Sequence, residues 1–150
     1  MDVDIRIRAV GPSERDLLIG MYEQFDPLGV ALGLPPYTEE GRRSWIGEAL
    51  SQKINGAAFA AGQLVGHCFL AANQPDSAEL AIFVHQDFRR KGVGSGLVKS
   101  ALKWAGAAGF QRIWSLTSCN NMAALRLQLR CGFRVAKSDF HTAEMEIDLR

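Results

Sequence analysis

The stretch that decides the fold reads Leu80-Ala81-Ile82-Phe83-Val84 and, shortly after it, Arg89-Arg90-Lys91-Gly92-Val93-Gly94. The first part is a short apolar run typical of a buried strand, and a helical pattern follows the second. Glycines between a strand and a helix let backbone N–H groups close around an anion, at the positive end of that helix. The three basic residues add charge to the turn. The pattern predicts a phosphate site, and a basic, solvated turn is the plainer alternative.

The glycine spacing separates this motif from two commoner phosphate motifs. Its order is Arg-x-x-Gly-x-Gly, whereas dinucleotide-binding folds carry Gly-x-Gly-x-x-Gly and P-loops end in Gly-Lys-Ser/Thr. The chain also has no suitable acidic partner for a ribose. A dinucleotide-binding oxidoreductase is therefore disfavoured.

The motif resembles the pyrophosphate loop of the GNAT N-acetyltransferase superfamily, which lies between a central strand and a helix. Arg89, Gly92 and Gly94 match the pattern Arg/Gln-x-x-Gly-x-Gly/Ala. A second family signature occurs further along the chain and is matched by Asn121, Ala124, Leu127, Gly132 and Phe133, with Gln128 at the position of the family's Tyr. The resemblance extends from Ile5 to Leu149.

The resemblance implies an α/β (α+β) fold, in which helices cover both faces of a mixed, mostly antiparallel central sheet. It also implies acetyl-CoA as cofactor, CoA as product and no metal. The acetyl-pantetheine arm is expected on main-chain groups of Ile82, Phe83 and Val84. The pyrophosphate is expected on the loop, formed by Arg89, Arg90, Lys91, Gly92, Val93, Gly94 and Ser95. Asn121 either hydrogen-bonds the arm or only caps a helix.

The implied reaction moves an acetyl group from a thioester to a primary amine, which is almost wholly protonated at pH 7 and must lose a proton. Many relatives use a Glu where this chain has Leu116. Glu79 is the nearest substitute, or a solvent-facing strand residue. His67 is the second candidate, or a structural core histidine, and His85 is interpreted as structural or pyrophosphate-side.

Gln128 departs from the family at the position of the Tyr that is thought to protonate the leaving sulfur. A Gln has no proton to give up near neutral pH, but its amide could donate a hydrogen bond to the developing thiolate. The alternative is a surface residue of the last helix.

Length and composition favour a single domain over residues 1–150, because 150 residues make one typical domain, and the resemblance implies that it is an N-acetyltransferase domain. The formal net charge of +1 and the absence of a basic block favour neither nucleic acid nor a membrane as partner. The N-terminus is acidic where a signal peptide would be basic. Cys68, Cys119 and Cys131 are scattered, which indicates reduced thiols in a cytoplasmic protein and no metal site.

The hydrophobic periodicity predicts strands near residues 3–9, 56–61, 64–72, 78–85, 111–117, 133–138 and 142–149. Helices are predicted over 13–25 with Ser13 as cap, over 38–51 with Thr38 as cap, and over 92–108. Leu125, Leu127 and Leu129 alternate with polar residues as in a strand. Strong helix formers, a cap at Asn121 and a stop at Gly132 nevertheless favour a helix there.

The sequence carries its weakest signal for the identity of the acceptor substrate. The segment 26–37 is rich in Gly and Pro and, in the family, overhangs the acceptor pocket. Leu32, Leu34 and Tyr37 could line that pocket, and Asp26, Glu39 and Glu40 could attract a cation, or these residues only pack and cap.

Protein lysines or N-termini, amino acids, polyamines and antibiotics all stay open as acceptors, in a monomer or a homodimer. An acetyl-CoA-binding sensor with little turnover is the second function class.

Overall fold

The computed structural model describes residues 4–29 and 34–149, which contain seven strands and four α-helices in the order β1-α1-α2-β2-β3-β4-α3-β5-α4-β6-β7. The strands are β1 (Ile5–Ala9), β2 (Ile54–Ala60), β3 (Gln63–Gln74), β4 (Ser77–Val84), β5 (Arg112–Ser118), β6 (Arg134–Ser138) and β7 (Thr142–Asp148). The helices are α1 (Arg15–Glu23), α2 (Glu39–Leu50), α3 (Val93–Ala107) and α4 (Met122–Arg130). This order confirms the predicted mixed fold, including the helix at α4.

The strands form one sheet in the order β1-β2-β3-β4-β5-β7-β6. Every neighbouring pair is antiparallel except β4 and β5, which run parallel. Parallel neighbours need a crossover, and α3 provides it. The turn between β2 and β3 puts Ala61 and Gly62 at φ of 50° and 81°, as a two-residue hairpin turn requires.

Two apolar clusters lie on opposite sides of the sheet. Helices α1 and α2 cover one side, called here the α1/α2 face, and α3 and α4 cover the other, the α3/α4 face. On the α3/α4 face the helix comes very close to the strands, since a Cβ built on Gly66 would lie 2.9 Å from Leu97 Cδ1. Glycine at this position therefore lets α3 sit directly on β3.

A buried hydrogen-bond network ties α1 and α2 to the sheet. The side chain of His67 is fully buried, with Nδ1 2.8 Å from Tyr22 Oη and Nε2 2.9 Å from Asn55 Oδ1. Asn55 Nδ2 donates to the carbonyls of Ala49 and Gln52. Because Asn55 Oδ1 must then accept, His67 carries its proton on Nε2 and accepts the Tyr22 hydroxyl proton on Nδ1. Burial lowers the pKa of His67 to about 3.

The helix starts agree with the prediction in two places and differ in one. Thr38 accepts from the amide of Gly41, and Asn121 accepts from that of Ala124, so both caps are confirmed. Ser13 does not cap α1, because a 3-10 turn over Pro12–Glu14 precedes the helix and the Ser13 hydroxyl donates to the Glu14 carboxylate instead.

Val3 of the first predicted strand and Leu32 lie outside the described residues. In the described ranges, no helix is long and apolar enough to cross a membrane.

Burial of neutral His67 predicts a specific pH dependence of stability. The pKa is depressed in the folded chain, so below about pH 6.5 the unfolded chain binds a proton that folded His67 does not. The stabilisation is therefore complete above that pH and is lost as the pH falls toward 3. Urea unfolding of wild type and His67→Gln at several pH values should show their difference in unfolding free energy shrinking by at most about 1.4 kcal/mol per pH unit below 6.5. His141→Gln, at an exposed site, is the control, and its difference in unfolding free energy from wild type should change much less with pH. The same pH dependence of the unfolding free energy in all three proteins would contradict a buried, neutral His67.

Candidate active site

The two parallel strands separate partway along the sheet. Their pairing consists of Ser77 with Arg112, Ala78 with Ile113, and Glu79 with Trp114. Beyond these pairs β4 continues against β3, and β5 continues against β7. The gap between residues 80–84 of β4 and 115–118 of β5 is called the fork below.

The register shows which main-chain groups face the fork. His85 N donates to Val65 O on β3, while Arg112 N donates to Asp76 O across the parallel pair. Because hydrogen-bonding direction alternates along a strand, the odd-numbered residues of β4 point to β3 and the even-numbered ones to the β5 side. The amide of Leu80 is the last one that the parallel pairing uses, and the amides of Ile82 and Val84 point into the fork.

This alternation corrects the prediction for Phe83. Its main chain pairs with His67 on β3, and its ring is buried on the α1/α2 face. Of the three residues predicted to bind the arm through main-chain groups, the fork receives the amides of Ile82 and Val84.

A cluster of backbone amides lies where β4 ends. Arg90 and Gly92 have φ of 62° and 83°, and α3 begins at Val93. The first helical hydrogen bond comes from Gly96 N, so the amides of residues 90–95 donate to no acceptor within the described chain. Such consecutive free N–H groups at a helix start form an anion site. Val93 contributes only its amide, because its side chain is buried.

Arg89 supports the loop instead of pointing its charge at these amides. Its Nε donates to Val84 O at 3.0 Å and its Nη2 to Asp26 O at 2.7 Å, while the guanidinium carbon lies 5.3 Å from the centre of the Phe25 ring. Arg89 stays predicted as a residue of the cofactor loop, and its side chain holds the loop to Val84 and Asp26. The exposed side chains of Arg90 and Lys91 carry the remaining charge of the loop.

Glu79 is the carboxylate at the base of the fork. It belongs to the last parallel pair and lies on the α1/α2 face with Ala81 and Phe83. Its side chain is half-buried and forms no hydrogen bond or ion pair with the residues described, and burial raises its pKa. A carboxylate in this setting binds a proton more strongly than an exposed one.

The two histidines considered from sequence both have structural positions. Both ring nitrogens of His67 are hydrogen-bonded in the core, so the structure contradicts its prediction as a base. His85 is buried, and its Nδ1 accepts from the Asp87 amide at 3.1 Å, as the structural interpretation predicted.

Gln128 is buried between α4 and β5, so neither of its predicted roles holds. Its Oε1 accepts from the Ser115 hydroxyl, and its Nε2 donates to Thr117 Oγ1 at 2.9 Å and to Ala124 O at 3.1 Å. Both amide hydrogens are used, which leaves none for a leaving sulfur. Ser115 and Thr117 were missed in the sequence because their partner is distant along the chain.

Asn121 and Ser95 complete the predicted cofactor set. Asn121 is exposed, and because its Oδ1 caps α4, the amide nitrogen keeps both hydrogens for a further acceptor. Ser95 is half-buried in the first turn of α3, with its hydroxyl 4.0 Å from Cys131 Sγ.

The neighbouring surfaces are open. A cavity of about 310 Å³ adjoins the β5 side of the fork and is lined by Leu116, Lys137, Ser138, Asp139, Thr142 and Glu144. Tyr37 is 72% exposed, Leu34 is half-buried, and Glu39 is paired with Arg43 at 3.3 Å. Among the residues described, no three or more His, Cys, Asp and Glu side chains are grouped as metal ligands.

Known proteins share this architecture. The family model described as acetyltransferase (GNAT) family matches residues 18–133. The GNAT acetyltransferase from Streptococcus pneumoniae is 21% identical with a TM-score of 0.79, covering 97% of this chain and 99% of that one. YncA from Salmonella typhimurium, solved with its cofactor acetyl-CoA, is 16% identical with a TM-score of 0.80, covering 98% and 95%. The ribosomal-protein-S18-alanine N-acetyltransferase from Escherichia coli is 16% identical with a TM-score of 0.78, covering 97% and 94%. A comparison with curated proteins gives no match.

The chain therefore belongs to the GNAT family of acetyltransferases, a class of acyltransferase enzymes.

The burial of Gln128 leads to a test that separates structure from catalysis. Gln128→Ala should lower the unfolding free energy by about 1–3 kcal/mol, because it leaves the Ser115 and Thr117 hydroxyls without their partner. Turnover of the folded variant should change less than about tenfold, the scale of one hydrogen bond to a charged group. Adding Ser115→Ala and Thr117→Val to Gln128→Ala should recover part of the stability. A fully stable Gln128→Ala variant with turnover reduced a thousandfold would contradict this position.

Proposed function

We propose that this protein is an N-acetyltransferase that transfers the acetyl group of acetyl-CoA to a primary amine at the fork. The observation that carries the proposal is the continuity of donors from the fork to the loop. The free amides of Ile82 and Val84 on β4 lead directly to the free amides of residues 90–95. One elongated ligand with a carbonyl at one end and a pyrophosphate further along fits this row.

The pyrophosphate would bind at the start of α3. A Cβ built on Gly94 would lie 2.9 Å from Leu127 Cδ2, so a side chain has no room between α3 and α4. Because the loop over residues 90–95 contains glycines and unpaired amides, phosphate oxygens can approach its backbone directly. Lys91 and Arg90 add charge at the rim, and Asn121 Nδ2 would donate to the pantetheine arm from the α4 side.

The acyl end would lie in the fork. Acetyl-CoA would supply the acetyl group already activated as a thioester. The amide of Ile82 can donate to the acetyl carbonyl oxygen, where negative charge develops during transfer, and the amide of Val84, two residues further along the strand, can donate to a carbonyl of the pantetheine arm. Because these donors are fixed by the pairing of β4 with β3, they need little rearrangement during the reaction.

Glu79 is the proposed general base. It lies on the α1/α2 face of the fork, carries no competing cation among the described residues, and its raised pKa favours proton uptake. Transfer forms the C–N bond and breaks the C–S bond, and the sulfur leaves with the electron pair. The ammonium group loses two protons in becoming an amide: Glu79 takes one, and the departing thiolate takes up the other. A thiol pKa of about 8.5 makes the thiolate a fair leaving group, so the absence of an acid at Gln128 is tolerated.

We further propose that residues 1–150 act as one catalytic domain, because a single seven-stranded sheet in the described part of the chain carries both arms of the fork. A cytoplasmic location stays a prediction from the cysteine pattern, and the sensor function stays the alternative.

A CoA-release assay with a panel of amines decides between enzyme and sensor. Both bind acetyl-CoA, but only the enzyme releases free CoA in an amine-dependent way.

Substitution at Gly94 tests the phosphate site. Gly94→Val should weaken CoA binding roughly a hundredfold in titration calorimetry, the loss of two hydrogen bonds to a charged group. Gly20→Ala, at an exposed helical position with open space around it, is the matched control and should bind normally. Lys91→Ala should cost less, and its effect should shrink as salt rises. Unchanged CoA affinity in folded Gly94→Val would refute the site.

Substitution of Glu79 tests the base. Glu79→Gln should reduce kcat at neutral pH by roughly 10²–10⁴-fold with little change in acetyl-CoA affinity. Activity should partly recover at higher pH, where more free amine is present. In wild type, activity should fall with acid at a pH above the usual range of a glutamate, because burial raises the pKa of Glu79. Glu48→Gln, on the exposed side of α2, is the control, and a wild-type pH profile in Glu79→Gln would assign the proton transfer elsewhere.

A further inference from the structure

Two side chains between β4 and α3 form hydrogen bonds with the main chain at the end of α1. Gln86 Oε1 accepts from Asp26 N at 3.0 Å, and Gln86 Nε2 donates to Gln24 O at 2.6 Å. Arg89 Nη2 donates to Asp26 O at 2.7 Å. Three main-chain groups of residues 24–26 are therefore bonded by side chains that lie 60–63 positions away in sequence. These three hydrogen bonds are called the clamp below.

The residues that the clamp holds are fixed to the core. Phe25 is buried, and its ring centre lies 5.6 Å from that of Tyr22 and 5.9 Å from that of Phe83. Tyr22 is in turn hydrogen-bonded to His67 on β3. The Arg89 guanidinium lies over the Phe25 ring at a cation–π distance of 5.3 Å. The end of α1 is therefore a firm support to which the clamp can hold the cofactor loop.

The loop needs such support because its backbone is strained directly after the clamp. Arg90 has φ of 62°, in the left-handed region that a residue with a side chain rarely adopts. A conformation of this kind persists where the surrounding structure holds it. Arg89 precedes this residue, and its Nε also donates to Val84 O at the end of β4. The clamp thus fixes the chain immediately before the free amides of residues 90–95.

From these contacts we infer that Gln86 and Arg89 are positioning residues for acetyl-CoA, because they hold the loop in the conformation that presents its free amides. Gln86 acts through the loop alone, since both ends of its side-chain amide are bonded to main chain. Without the clamp, only a fraction of the molecules has a binding-competent loop, and the apparent Kd rises by the inverse of that fraction. The inference rests on the proposed function and adds residues that control affinity for its cofactor.

The affinity of matched variants for CoA tests the clamp. Gln86→Ala removes two hydrogen bonds, and we expect it to raise the Kd for CoA about tenfold in titration calorimetry. Its kcat at saturating acetyl-CoA should change less than about threefold, because bound ligand restores the loop. Gln24→Ala is the matched control, since it removes an exposed glutamine side chain and keeps the carbonyl that the clamp uses. Equal Kd values for folded Gln86→Ala and Gln24→Ala would overturn the inference.

A second control separates the clamp from general stability. Ile46→Val leaves a small cavity in the core under α2, outside the clamp, and lowers the stability of the fold. This variant should bind CoA as wild type does. If it weakened CoA binding as much as Gln86→Ala, the effect would belong to the fold as a whole and the inference would fail.

Arg89→Lys separates positioning from charge. Lysine keeps the positive charge but has one nitrogen where Arg89 uses two, one for Val84 O and one for Asp26 O. We expect the Kd for CoA to rise about tenfold, by a factor that is the same at low and high salt. Wild-type affinity in Arg89→Lys would assign this side chain a role through its charge and would overturn its part in the clamp.

Hydrogen exchange at the Asp26 amide measures the same coupling from the other side. Binding linkage is reciprocal, so bound CoA should strengthen the clamp and slow exchange of this amide in wild type, and Gln86→Ala should abolish the effect. An unchanged exchange rate in wild type would mean a purely structural contact and would overturn the inference even if Gln86→Ala did not fold. Failure of wild type to bind CoA would overturn the proposed function as well, whereas normal CoA binding with no effect of the variants would overturn the clamp alone.

Discussion

The separation of β4 from β5 after the pair Glu79–Trp114 is the constraint on which the site depends. Strand amides left without a partner inside a protein are costly, and a sheet normally pairs them. Here the amides of Ile82 and Val84 stay directed at a gap, and the pairing of β4 with β3 on the other edge keeps them in place. The fold therefore keeps free hydrogen-bond donors at a position where a ligand carbonyl can accept from them.

Both arms of the fork are held by buried polar side chains. On the β5 arm, Gln128 bonds Ser115 and Thr117, which lie just past the point of separation. On the α1/α2 face, His67 connects β3 with α1 and, through Asn55, with the end of α2. Arg89 joins the end of β4 to the connection after α1. Residues that look catalytic by type therefore position the elements that carry the donors.

Much of the fold could be predicted from local pattern. Alternation located the strands, the caps at Thr38 and Asn121 located two helix starts, and Gly132, at φ 99°, marked the end of α4. The leucine alternation in α4 has a simple explanation, because Leu125 and Leu127 pack on the core while Leu129 is 51% exposed. The prediction that Ser13 caps α1 was wrong, because Pro12 starts a 3-10 turn ahead of the helix.

The site was predictable only where it is made of backbone. The glycine pattern indicates free amides at Gly92 and Gly94 without knowledge of any distant contact. The roles of Arg89, His67 and Gln128 depend on partners far away in sequence, namely Asp26, Tyr22 and Thr117. Whether a polar side chain faces a ligand or a buried neighbour is decided by that packing, and sequence spacing does not contain it.

Amide hydrogen exchange, measured by NMR with and without acetyl-CoA, tests the central claim most directly. If the fork and the loop hold the ligand, the amides of Ile82, Val84 and residues 90–95 should exchange more slowly when acetyl-CoA is bound, because each gains an acceptor. The amide of Phe83, already paired with β3, and those of the exposed strand β6 should change little. Protection at Phe83 or β6 with none at Ile82, Val84 and the loop would contradict the account.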